Sequence, residues 1–126
     1  MRFSSIHGIG VIAIRNIPKN TNPFKGIKRQ KWAEVDTDEL KHLDKEVKKM
    51  ISDFYAVGKN GKFEINEDGL NGMDISFFLN NSKTPNIKRI NGGHDIVTLR
   101  KIKKNEELTE AYSSFDYRYI AHPLDK

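Results

Sequence analysis

The 126-residue sequence predicts a mainly β, α+β domain: short strands with one inserted helix. Three observations predict it. β-branched residues gather in short runs broken by Gly, Pro and Asn. Only residues 36–57 carry a convincing helical period. Near the end, an Asn-Gly-Gly turn divides two β-like runs, a hairpin signal.

Val11, Ile12, Ile14 and Ile17 are stiff at χ1 and favour a strand over residues 10–17. Pro18 stops the run, and the PKNTNP that it opens reads as turn. In the helix, Asp36 is the expected cap and Glu39 completes a capping box. Leu40, Leu43, Val47, Met50, Ile51 and Phe54 make one apolar face. Acids precede lysines along it, which suits the helix dipole, and Gly58 is the expected stop. Lys59 to Ile65 predicts a tight turn and a short strand. Asn86 to Ile102 predicts the hairpin, and Glu106 to Tyr112 the last strand.

The length suits a single domain, 1–126, large enough for one core. No run of about 18 apolar residues offers a membrane span. No secretory signal is evident, and cysteine is absent. An intracellular protein is the expectation, without disulfides, thiolate zinc sites or a cysteine nucleophile. The net charge is +5, with basic clusters at Lys25 to Lys31 and Arg100 to Lys104. They read as a solvated surface, or as a patch for nucleic acid or an acidic protein. His7, His42, His94 and His122 show no metal-ligand spacing, so no metal is expected.

Three segments could carry chemistry. HGIGVIA, His7 to Ala13, has the spacing of a dinucleotide loop. A Rossmann reading fails because no strand leads in and no helix follows. A glycine turn before a strand remains, or a loop that a ligand can approach closely. FFLNNSKTPN, Phe77 to Asn86, ends an apolar run in asparagines. It reads as an Asx-rich turn, or as buried amides offered to a ligand. EELTEAYSSFDYRY brings Tyr112, Phe115, Tyr117 and Tyr119 together. They read as core aromatics, or as the wall and hydroxyl of a pocket.

Taken in order, these segments resemble the SET domain of protein-lysine methyltransferases, compact and stand-alone as in bacteria and viruses. The Gly-x-Gly at Gly8 and Gly10, the Asn-x-Ser-x-x-Pro-Asn from Asn80 and the Glu-Glu-Leu-Thr-x-x-Tyr from Glu106 carry the likeness over residues 3–117. The resemblance implies a SET fold of small sheets, with the Asn80 to Asn86 segment threaded knot-like beneath the C-terminal loop. It implies S-adenosylmethionine as cofactor, leaving as S-adenosylhomocysteine. Gly8, Ile9, Gly10, Val11, Phe78, Asn80, Asn81 and Phe115 would bind it, and Tyr112 would be the catalytic tyrosine. The partner would be a protein substrate with an accessible lysine, and Tyr55 and Glu110 the substrate-side residues.

The sequence departs from the family pattern at four positions. Asn81 stands for His, Phe77 for a frequent Arg, and Ala111 for a frequent Asp. Glu110 stands where Phe or Tyr is frequent. On a continuing strand Glu110 and Tyr112 would share a face, placing Glu110 near the substrate ammonium. Two other functions stay open: a SET-like binding module impaired in catalysis, and a basic nucleic-acid-binding protein.

Overall fold

The computed structural model of the chain describes residues 1–24, 31–93 and 95–121. Within the span expected as a single domain, it divides into two compact units. The first comprises Met1–Arg29 with Met73–Ala111, the second Gln30–Gly72 with Tyr112–Asp125.

In the first unit, the strands β1 (Arg2–Phe3) and β2 (Ile9–Ile12) precede a second group near the end. β5 (Asn80–Asn81), the hairpin strands β6 (Ile87–Ile90) and β7 (Asp95–Thr98), and β8 (Glu107–Glu110) complete the unit. The main sheet has the order β1-β2-β8-β5. β8 runs antiparallel to β2, with Val11 opposite Leu108, and parallel to β5, with Asn80 opposite Thr109. Val11, Ala13, Leu79, Ile87, Ile96, Ile102 and Leu108 form the core, with Ile17, Phe24 and Phe78 packed against it. Val11, Ala13, Ile17, Ile87, Ile96, Ile102 and Leu108 fall in the strand runs read from sequence, whereas Leu79 and Phe78 come from the apolar run before the asparagines.

The predicted hairpin forms in register, with Ile87 opposite Thr98 and Ile90 opposite Asp95. Its turn needs left-handed backbone at Asn91, Gly92 and Gly93, which Asn and Gly tolerate. The predicted strand 10–17 is interrupted. Its ladder ends at Ile12, and the chain rejoins through a bridge from Ile17 to Ile102. The partner strand explains the gap, because Asn105 turns at φ 76° and breaks the opposing backbone. The last strand also stops early, at Glu110. Beyond it, the Tyr112 carbonyl accepts from the N–H groups of Phe115 and Asp116 and closes a turn.

In the second unit, β3 (Trp32–Val35) pairs antiparallel with β4 (Phe63–Asn66). β3 carries no strand signal in its residues, since WAEV has no alternation or β-branched run. The predicted 36–57 helix is two pieces. Asp36 caps a short 3-10 turn, Thr37–Leu40, accepting from the Asp38 N–H at 3.2 Å. The helix α1 is Lys45–Phe54, and Tyr55, already extended, ends it before Gly58. Of the predicted face, Ile51 is buried, while Met50 is 42% exposed. The face is too short to fix one continuous helix. A second helix, α2 (Tyr117–Ala121), was not anticipated. It is a single turn, below the length at which periodicity speaks.

Candidate functional site

In the first unit the glycine loop and the asparagine segment meet on β8. The loop is built by a serine turn. Ser4 Oγ accepts from the N–H groups of Ile6 and His7, at 2.9 and 3.3 Å, and Ser4 N–H donates to the Gly8 carbonyl at 2.7 Å. Gly8 has φ +47°, and nothing stands within 4 Å of where a Cβ would be. His7, Gly8 and Ile9 are exposed residues, while Gly10 and Val11 are buried. Glycine is required at position 10 for another reason. A Cβ there would run into the Glu107 carboxylate and touch Ser4 Cβ.

Asn80 is 7% exposed and fastens this loop. Its Nδ2 donates to the carbonyls of His7 and Ile9, at 3.1 and 3.2 Å, and to Glu107 Oε2 at 2.8 Å. Three acceptors surround one nitrogen, which fixes the sense of the amide. Its Oδ1 accepts no hydrogen bond among the described residues. Among the described residues no fully buried side-chain polar atom lacks a partner, so this oxygen retains solvent contact. Glu107 is held from the other side by the Ser4 hydroxyl, at 2.6 Å.

The rest of the segment hangs from the same strand. Ser82 N–H donates to the Glu110 carbonyl at 2.9 Å. Asn86, 3% exposed, donates from Nδ2 to the Glu107 carbonyl and accepts at Oδ1 from the Thr109 N–H, both at 2.8 Å. Asn81 is half-buried opposite Glu110. Phe78 lies in a 3-10 turn, Ile75–Phe78, and packs on the core.

Glu110 does not stand open to a substrate amine. It is 4% exposed and carries a bidentate pair with Arg89, Nε to Oε2 at 2.9 Å and Nη2 to Oε1 at 3.3 Å. Burial pushes its carboxyl above the usual range, and the Arg89 charge and hydrogen bonds pull against that rise. The expected shared strand face with Tyr112 also fails, because β8 ends at Glu110 and Tyr112 opens a 3-10 turn.

The second unit holds the aromatics. Tyr112 is half-buried, edge-on to Tyr119 at 5.1 Å and tilted on Phe115 at 5.8 Å between centroids. Tyr55 is 3% exposed, its hydroxyl bonded to Asn66 Oδ1 and its ring edge-on to Trp32. Burial raises the phenols of Tyr55 and Tyr119 above their ordinary value. Arg118 ties α2 to the end of α1. It donates to Ser52 Oγ and to the carbonyls of Ser52 and Tyr55, each at 3.0 Å, while Asp116 holds its guanidinium.

Sequence reasoning missed the roles of Ser4, Glu107, Arg89 and Arg118. Each contacts residues distant in sequence, and no spacing rule reports such pairs. Among the described residues, no group of three His, Asp or Glu could hold a metal ion. No helix among them is long and apolar enough to cross a membrane. Of the basic clusters, Lys25 to Arg29 lie outside the described residues, as do His94 and His122. In the other, Lys101, Lys103 and Lys104 are exposed. Arg100 there pairs with Glu106 at 2.8 Å, which holds the Glu106 carboxyl below its usual range.

A family model described as the SET domain matches residues 8–113. Solved structures match in fold, among them a crystal structure of a Plasmodium falciparum "putative histone methyltransferase". It shares 20% sequence identity at a TM-score of 0.50, over 86% of this chain and 87% of that one. At that identity the likeness speaks for the fold. A search of curated proteins found no match.

Proposed function

The chain belongs to the SET-domain family, the family of protein-lysine methyltransferases, and from that premise we propose that it methylates a lysine of a protein substrate with S-adenosylmethionine. One observation carries the cofactor assignment. The exposed loop residues His7 to Ile9 are fastened by a buried asparagine whose carbonyl oxygen stays accessible. That donor and acceptor set fits the amino-acid end of an adenosylated cofactor: Asn80 Oδ1 accepts from its ammonium, and the loop leaves room at Gly8. Gly8, Ile9, Gly10, Val11, Asn80 and Asn81 supply the binding segments. Phe78 contributes through the core rather than by an open face, and Phe115 stands as the aromatic beside Tyr112.

When bound, the cofactor supplies an electrophilic methyl group on a sulfonium. The residues of this chain have the remaining tasks. The amine must arrive neutral and aligned, because only its lone pair can attack. Tyr112 orients that amine through its hydroxyl. Its ring is held by Tyr119 and Phe115, so the hydroxyl has a defined direction. Tyr55, 3% exposed and with its hydroxyl engaged by Asn66, supports the packing of the second unit rather than meeting the substrate. Glu110 supports Arg89 and β8 rather than the substrate ammonium.

The test is methyl transfer from labelled S-adenosylmethionine to candidate proteins by the full chain. Tyr112→Phe should lower the rate about 10²-fold, as loss of one oriented polar contact in a transition state does. Equal labelling by both proteins would remove Tyr112 from its assigned role. Calorimetric cofactor binding without transfer to any protein would favour the binding-module reading. A mobility shift of nucleic acid at moderate salt, without cofactor binding, would favour the basic-patch reading.

A further inference from the structure

We propose that Glu107 is a positioning residue for the cofactor loop, setting which face of the Asn80 amide a cofactor meets. The inference rests on the function proposed above and adds a residue to it. Glu107 reaches the loop from β8 and joins three parts of it at once. Oε1 accepts from the Ser4 hydroxyl, and Oε2 accepts from Asn80 Nδ2. The carboxylate also occupies the volume that a Cβ at Gly10 would need. The Asn80 nitrogen is thereby committed to Glu107 and to the His7 and Ile9 carbonyls. Only Oδ1 is left to a ligand, so the site offers an acceptor and selects a donor such as an ammonium group.

The carboxylate cannot be exchanged for an amide without loss. Ser4 Oγ already accepts from the Ile6 and His7 N–H groups, which fill its two lone pairs. Asn80 presents hydrogens. A glutamine NH2 at position 107 therefore meets either a filled acceptor or another donor. One hydrogen bond is lost, at Ser4 or at Asn80, and the clamp on the Asn80 amide is loosened, with the His7 and Ile9 carbonyls left to hold it.

Calorimetry on the full chain compares S-adenosylhomocysteine with 5′-methylthioadenosine, which lacks the amino-acid end. Glu107→Gln should weaken the first about tenfold, the value of one hydrogen bond to a charged group, and leave the second nearly unchanged. Equal weakening of both ligands, or of neither, would overturn the proposal. A second readout needs no cofactor. Gly10→Ala should lower the melting temperature by more than about 4 °C in the native background and by less than half that in Glu107→Ala. Additive losses would show that Glu107 does not set the requirement for glycine. If the native chain binds neither ligand, the proposed function falls, and the melting cycle still decides whether Glu107 clamps the loop.

Discussion

Asn86 does with its side chain what a strand residue does with its backbone. It gives β8 one donor and one acceptor, at 2.8 Å each, in a buried position. Asn86→Ala strands the Thr109 N–H and the Glu107 carbonyl and should cost about 2–4 kcal/mol, read by urea denaturation. Arg89 and Glu110 make a second test at this scale. The Glu110 carboxyl lies above its ordinary value, so folding favours its protonated form. That contribution is complete below the unfolded value, about 4.3, and is lost as pH rises through the folded one. Glu110→Gln should therefore flatten the stability profile as pH rises from about 4.3. Arg89→Met removes the charge that opposes the rise, so the loss with pH should steepen, with about 3–5 kcal/mol missing at neutral pH. Denaturation across a pH series checks both. From sequence, Asn80 and Asn86 were legible as a motif because their spacing is local. Arg89 was not, since its partner lies 21 positions away.

At the scale of elements, boundaries were harder to read than identities. The hairpin was legible because Asn-Gly-Gly states its own turn. α1 was legible as a helix but not in length. Asp36 signals a helical start, yet the chain uses it for one 3-10 turn and starts α1 afresh after Asp44. β3 and α2 were invisible, being four and five residues long. Contacts hold these short elements more than propensity does. Arg118 binds two carbonyls at the end of α1, and Asp116 beside it is 3% exposed. Arg118→Ala removes the charge beside that carboxylate, leaving it the residue-118 N–H, and should cost about 2–4 kcal/mol. Hydrogen exchange should then quicken first in α2 and around residues 52–57.

At the scale of the whole molecule, the two units have different cohesion. The first has seven buried apolar side chains in one cluster, all in runs that the sequence marked. Leu108→Ala, on the central strand, should cost about 2–5 kcal/mol by thermal or urea denaturation. In the second, Ile51 and Tyr55 are the buried apolar residues among those described, and Asn66, Asp116 and Arg118 supply polar links. Fold class was readable since hydrophobic pattern writes a core directly. The family came from three short motifs in order, and the SET-domain model matches the stretch 8–113 that holds nearly all of them. The polar network of the second unit has no such pattern, so it appears only in three dimensions.

The attachment of both ends of the asparagine segment to one strand has a practical consequence for cleavage. Lys83 is exposed, with β5 on one side of it and Asn86 on the other. A single tryptic nick there would separate the chain into two fragments that still share β8 as a common splint. The nicked protein should run as one species on a sizing column and part only in denaturant. Complementary fragments divided at that bond are thus natural candidates for a split reporter.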